Sequence, residues 1–102
     1  SSLGDVITDV ILFGSVARGN ATPDSDIDLQ ILIKHEREAP KIRRKIHEII
    51  YPISLASNTP ITLVVTSREK FITWVKSKYS FAQEILKEGI QLHGDILNLV
   101  RS

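Results

Sequence analysis

Leu12-Phe13-Gly14-Ser15-Val16-Ala17-Arg18-Gly19, followed shortly by Ser25-Asp26-Ile27-Asp28-Leu29, decides how this chain reads. The apolar run Val10 to Phe13 has the length and β-branched content of a buried strand. It stops at Gly14-Ser15. Glycine takes backbone angles closed to other residues, so successive N–H groups there can converge and form a small anion-binding concavity. A helical turn over Val16 to Arg18 adds its own unpaired N–H groups to the same positive end. This half of the stretch is suited to a phosphate.

The other half is suited to a metal ion. Asp26 and Asp28 are two residues apart, and Ile27, Leu29, Ile31 and Ile33 alternate with them. A strand has a side-chain period of two, so the pattern predicts a second strand over Asp26 to Ile33 with both carboxylates on one face. Their Cα atoms would then stand roughly 7 Å apart, from a rise of about 3.3 Å per residue. Aspartate is disfavoured in strands, and two like charges on one face repel unless a cation shares the space. Arg18 is the nearest basic side chain in sequence, and Asp24 adds a third negative charge. An oxygen-rich pair of this kind suits Mg²⁺, which takes one or two carboxylates and completes its shell with substrate phosphates.

The rest of the chain supplies the frame. The first strand is expected over Val6 to Phe13, and Asn20 to Ser25 has turn chemistry. Pro40 fits a first helical position. Ile42, Ile46, Ile49 and Ile50 then follow at helical spacing. Lys41, Arg43, Arg44 and Lys45 cover the other faces; a solvated surface accounts for such a run, and a patch for an acidic partner or RNA is the sharper alternative. Tyr51-Pro52 is expected to end that helix, with a loop to Pro60 and a short edge strand over Ile53 to Leu55. Ile61 to Val65 reads as the third strand. Capping boxes are expected at Thr66 to Glu69 and at Ser80 to Gln83. Trp74 falls among Phe71, Ile72 and Val75 and reads as core rather than as a base-stacking surface. Gly89 supplies a helix stop. Ile90 to Leu92 reads as a short last strand, and Ile96 to Val100 as a terminal helical turn packing on the core.

At 102 residues the chain is expected to form one domain, 1–102, with one modest core. The net charge of +1 argues against a general nucleic-acid coat. Cysteine is absent, which excludes disulfides, thiolate metal sites and thiol nucleophiles. His35, His47 and His93 lack metal-ligand spacing, and no serine sits in a nucleophile elbow. Neither a membrane-length apolar run nor a signal-peptide pattern is evident, so a cytoplasmic location without membrane association is the default expectation. A homo-oligomer is left open.

Gly14-Ser15, Arg18-Gly19 and Ser25-Asp26-Ile27-Asp28-Leu29 at this spacing, between two apolar strands, resemble the signature of the polymerase-β-type nucleotidyltransferases. The short chain is most similar to the minimal nucleotidyltransferases. That resemblance implies an α+β fold with a small mixed sheet and helices mainly on one face. It implies that Gly14 and Ser15 grip a nucleotide triphosphate, and that Asp26 and Asp28 hold two Mg²⁺ ions and serve catalysis. Arg18 contacts phosphate or pairs with Asp24. The implied reaction moves a nucleoside monophosphate, AMP from ATP, to a hydroxyl. Chains of this kind are often antitoxins, which implies a HEPN-type toxin as protein partner and a tyrosine as acceptor. One departure stands out. Family members place a third carboxylate on the next strand, where this chain has Thr62. A threonine hydroxyl is not appreciably ionised at neutral pH and is a poor base. Glu48 and Glu69 are substitutes by availability alone. The competing reading is therefore a catalytically impaired module that binds nucleotide or neutralises its partner by contact only.

Overall fold

The computed structural model describes residues 3–101. Strands β1 (Ile7–Phe13), β2 (Ile27–Ile33), β3 (Ile61–Ser67) and β4 (Ile90–His93) form one sheet in the order β3-β2-β1-β4. β1 runs antiparallel to both β2 and β4, while β2 and β3 are parallel. Parallel neighbours require a crossover, and helix α2 (Ala39–Ser57) supplies it. The remaining helices are α1 (Gly14–Arg18), α3 (Arg68–Lys76), α4 (Ser80–Glu88) and α5 (Ile96–Arg101).

Alternation along β2 divides the core into two layers. Leu32 joins Ile11, Phe71, Ala82, Ile85, Ile96 and Leu97 under α3, α4 and α5. Its neighbours Ile31 and Ile33 join Ile42, Ile46 and Leu63 under α2. The sheet is mixed, with three helices on one face and the longest on the other. Asp28, Gln30 and Leu32 share the first of these faces, as Thr62, Val64 and Thr66 do on β3.

Three local expectations are corrected. Helix α2 does not stop at Tyr51-Pro52 but runs to Ser57, so Ile53 to Leu55 is helix rather than edge strand. Pro52 removes one N–H and frees the carbonyl of Glu48, yet both residues are exposed to solvent. The helix ends at Asn58, left-handed at φ 53°, whose N–H donates to Leu55 O at 3.2 Å. At the start of α3 the cap is Ser67, not Thr66: Ser67 Oγ accepts from the Lys70 N–H at 3.0 Å. The Thr66 hydroxyl is buried and engaged by Gln30 Nε2 at 3.1 Å. Ser80 is the first residue of α4 and caps nothing, and the Gln83 amide donates instead to Val75 O at 3.4 Å.

A buried carboxylate fastens the end of the sheet that lies away from Gly14. The β1–β2 register slips between Ile7 and Asp9, which turns the fully buried Asp9 toward the last helix. Its carboxylate accepts from the N–H groups of Asp95 (3.0 Å) and Ile96 (2.9 Å), the Gln91 amide (3.2 Å) and the Thr8 hydroxyl (2.7 Å). Arg68 Nε lies 3.5 Å away. Gly94, at φ 84°, is required here because a Cβ would run into Thr8 O and Asp9 Oδ2. Removing one member of a buried charge cluster strands its partners and costs about 3–5 kcal/mol. Asp9→Ala is therefore expected to destabilise the fold by about that amount in urea unfolding, with the α5 amides first to lose hydrogen-exchange protection.

Candidate active site

The site is assembled at the other end of the sheet, where β1 finishes and β2 and β3 begin. Phe13, the last residue of β1, stands opposite Asp28 in the antiparallel ladder. Its ring meets Phe81 edge-on at 5.4 Å, and Phe81 meets Trp74 at 6.1 Å. Trp74 is thus half-buried in an aromatic cluster, in keeping with a core role. Immediately after Phe13 the chain turns at Gly14, φ 80°, into α1. Gly19, φ 77°, ends that helix with its N–H on Val16 O (3.2 Å), and the Asn20 N–H reaches back to Ser15 O (3.0 Å). The Gly14-Ser15 turn is tied at both sides.

Asp28 lies directly against that turn. A Cβ built on Gly14 would overlap Asp28 Oδ2, so glycine is needed for both its angles and its lack of a side chain. On the parallel side Asp28 is in register with Thr62, whose hydroxyl favours the ionised form of the Asp28 carboxyl. β2 begins one residue later than the pattern predicts, at Ile27, with Asp26 just ahead of it. Asp26 is exposed, held between the Thr22–Ser25 turn (Ser25 N–H to Thr22 O, 3.0 Å) and the Ile27 N–H bond to Pro60 O at 2.9 Å. Its charge still reaches Asp28. Partial burial pushes the Asp28 carboxyl above its ordinary value of 3.8, and Asp26 pushes the same way, while Arg18 and the Thr62 hydroxyl pull it back.

Arg18 does not pair with Asp24. Its guanidinium donates to Glu88 Oε1 at 2.8 Å, joining α1 to α4. The partner lies seventy residues away, and no local signal marks it. Glu69 follows β3 at the opposite end from Thr62, and Glu48 lies on the exposed side of α2, so neither carboxylate stands in for the third acid. Among the described residues no set of three or more His, Cys, Asp or Glu side chains gathers as a metal cage. What the site offers is two hard carboxylate oxygen donors, one already strained by the other's charge, beside a glycine-lined turn. That donor set fits Mg²⁺, which is commonly shared between one or two carboxylates and substrate phosphates.

Two outcomes follow from this packing. Gly14→Ala places a side chain at positive φ, which costs about 1–2 kcal/mol, and displaces Asp28 as well; thermal unfolding should show the loss, and nucleotide titration a weakened site. Asp28→Asn should act in the opposite direction on stability. An acid whose pKa is raised by folding binds more protons in the native state between its unfolded and folded values. Stability contributed by Asp28 therefore falls as pH rises through that window and stays reduced above it. Asp28→Asn should raise the melting temperature at pH 7, and the difference should vanish in strong acid, where the carboxyl is protonated in both states.

Three kinds of comparison bear on the family and the fold. The family described as Nucleotidyltransferase domain matches residues 1–98. A Methanocaldococcus jannaschii protein named as a protein adenylyltransferase, MJ0141, is 33% identical over 90 residues, covering 88% of this chain and 83% of its own length. Among solved structures, a chain of a toxin–antitoxin crystallised with AMP-PNP superposes with a TM-score of 0.56 at 20% identity, over 92% of this chain and 68% of that one. A mutant of the toxin–antitoxin MntA-HpeT gives 0.52 at 22% identity, over 92% and 67%. These structures share the fold. The chain belongs to the nucleotidyltransferase domain family.

Proposed function

We propose that this domain transfers AMP from ATP to a hydroxyl on a partner protein, a HEPN-type toxin being the partner class that the signature suggests. The observation that carries the reading is the seating of Asp28 against Gly14, with Asp26 and Thr62 alongside. Support comes from the adenylyltransferase name of the relative that is 33% identical, and from the nucleotide and the toxin–antitoxin assembly named for the structures of like fold.

In this reading the N–H groups at Gly14 and the Ser15 hydroxyl hold the outer phosphates of ATP. Asp26 and Asp28 hold magnesium, which when bound neutralises charge that develops on the phosphates. The acceptor oxygen bonds to the α-phosphorus, the bond from that phosphorus to the bridging oxygen breaks, and pyrophosphate leaves. Arg18, anchored by Glu88, adds positive potential beside Asp28. The acceptor's proton finds no carboxylate at residue 62, so it passes to water, and transfer is slow. A contact-only module is the second reading, favoured by the same Thr62.

Incubating the protein with α-labelled ATP, Mg²⁺ and the product of the adjacent gene separates the two. Transfer predicts label on the partner, lost with Asp26→Asn or Asp28→Asn. Restoring a base with Thr62→Asp should speed labelling by about 100-fold, the lower end of what general-base catalysis supplies. Absence of label at full nucleotide occupancy, with neutralisation kept by both Asn variants, would overturn transfer in favour of contact.

A further inference from the structure

The core-facing row of α2 continues past the core. Ile42 and Ile46 are buried against the sheet and Ile50 is half-buried. Ile53 follows at the next helical step, yet it is 57% exposed. Tyr51, Leu55 and Ile49 are exposed to similar extents. On a helical projection Ile49 and Ile53 share one side, and Tyr51 and Leu55 the opposite side. The last two turns of α2 therefore carry exposed apolar side chains on two opposite sides. Exposed apolar surface of this kind marks association.

The preceding turns carry Lys41, Arg43, Arg44 and Lys45, all exposed, and none of them is in an ion pair among the described residues. Basic turns leading into an apolar tip describe a ligand for a groove with an apolar floor and an acidic margin. We infer that the C-terminal half of α2 inserts into such a groove on a partner protein, at the end of the sheet where β2 and β3 begin. This deepens the partner reading above and rests on it. Several occupants fit less well. A membrane surface accepts one apolar face of a helix, not a helix apolar on two opposite sides. A second copy would bring the same four cations to the joint. RNA would engage the cations but leave Ile53 and Leu55 unpaired with anything apolar.

The test is titration calorimetry of the full chain with the adjacent-gene product, alongside the labelling assay. Leu55→Asp and Ile53→Asp, both at exposed positions, should each weaken binding at least about tenfold, as hot-spot truncations do, with unchanged circular dichroism and unchanged ATP affinity. Lys41→Glu with Arg44→Glu should weaken binding and flatten its dependence on salt. Asp28→Asn should bind as well as wild type while losing labelling. Binding that survives both tip variants overturns the docking site and leaves transfer standing. Wild type that binds the partner at full nucleotide occupancy yet leaves it unlabelled overturns transfer and leaves docking standing. The inference also fails if wild type ignores the partner, or if the tip variants instead abolish self-association, binding to vesicles of anionic lipid, or binding to single-stranded RNA.

Discussion

The carboxylate of Asp28 occupies the space that any side chain at residue 14 would need. This exclusion ties together parts of the molecule that are otherwise independent. It requires the turn after β1 to be glycine, and it requires β1 and β2 to pair with Phe13 opposite Asp28. Through β2 it also sets which residue of β3 stands beside the acid, and that residue is Thr62. Aromatic packing from Phe81 holds Phe13, and so the turn, from behind. The chemistry of the site is thus a property of strand register, set by the two core layers rather than by the site residues themselves.

The two ends of the sheet solve opposite problems with the same side chain. Asp9 is fully buried and surrounded by donors, so its charge is matched and serves the fold. Asp28 is less buried, and the like charge of Asp26 acts on it. One carboxylate is satisfied within the chain. The other is set where a positive group from outside improves matters, which is what separates a structural acid from a site acid.

The strand frame and the turn after Phe13 were legible because their signals are local. Apolar runs of the right length, a glycine at the turn, and a parity argument sufficed for β1, β2 and β3. The place of Thr62 beside Asp28 came from the family resemblance rather than from a local signal. The partner of Arg18 was not legible, because Glu88 lies far away in sequence and meets it only once α4 has folded over α1. The cap of α3 was misread by one residue because Thr66 and Ser67 are equally able to cap, and only the buried bond from Gln30 decides between them. Pro52 misled because the rule against proline weighs a lost hydrogen bond as though it were buried, whereas this turn of α2 is wet. Asp9 was passed over because a lone acid in an apolar strand gives no hint of the amide groups that will surround it.

The crowding of Asp26 and Asp28 has a practical side. Folding brings the two negative groups into a relation that the open chain does not impose, so the native state carries an electrostatic load at one end of the sheet. Any cationic or metal-bearing ligand that settles there lightens that load, and heat resistance rises with occupancy. The domain is in this sense its own gauge: candidate donors can be ranked by the warming each withstands, before any acceptor is known.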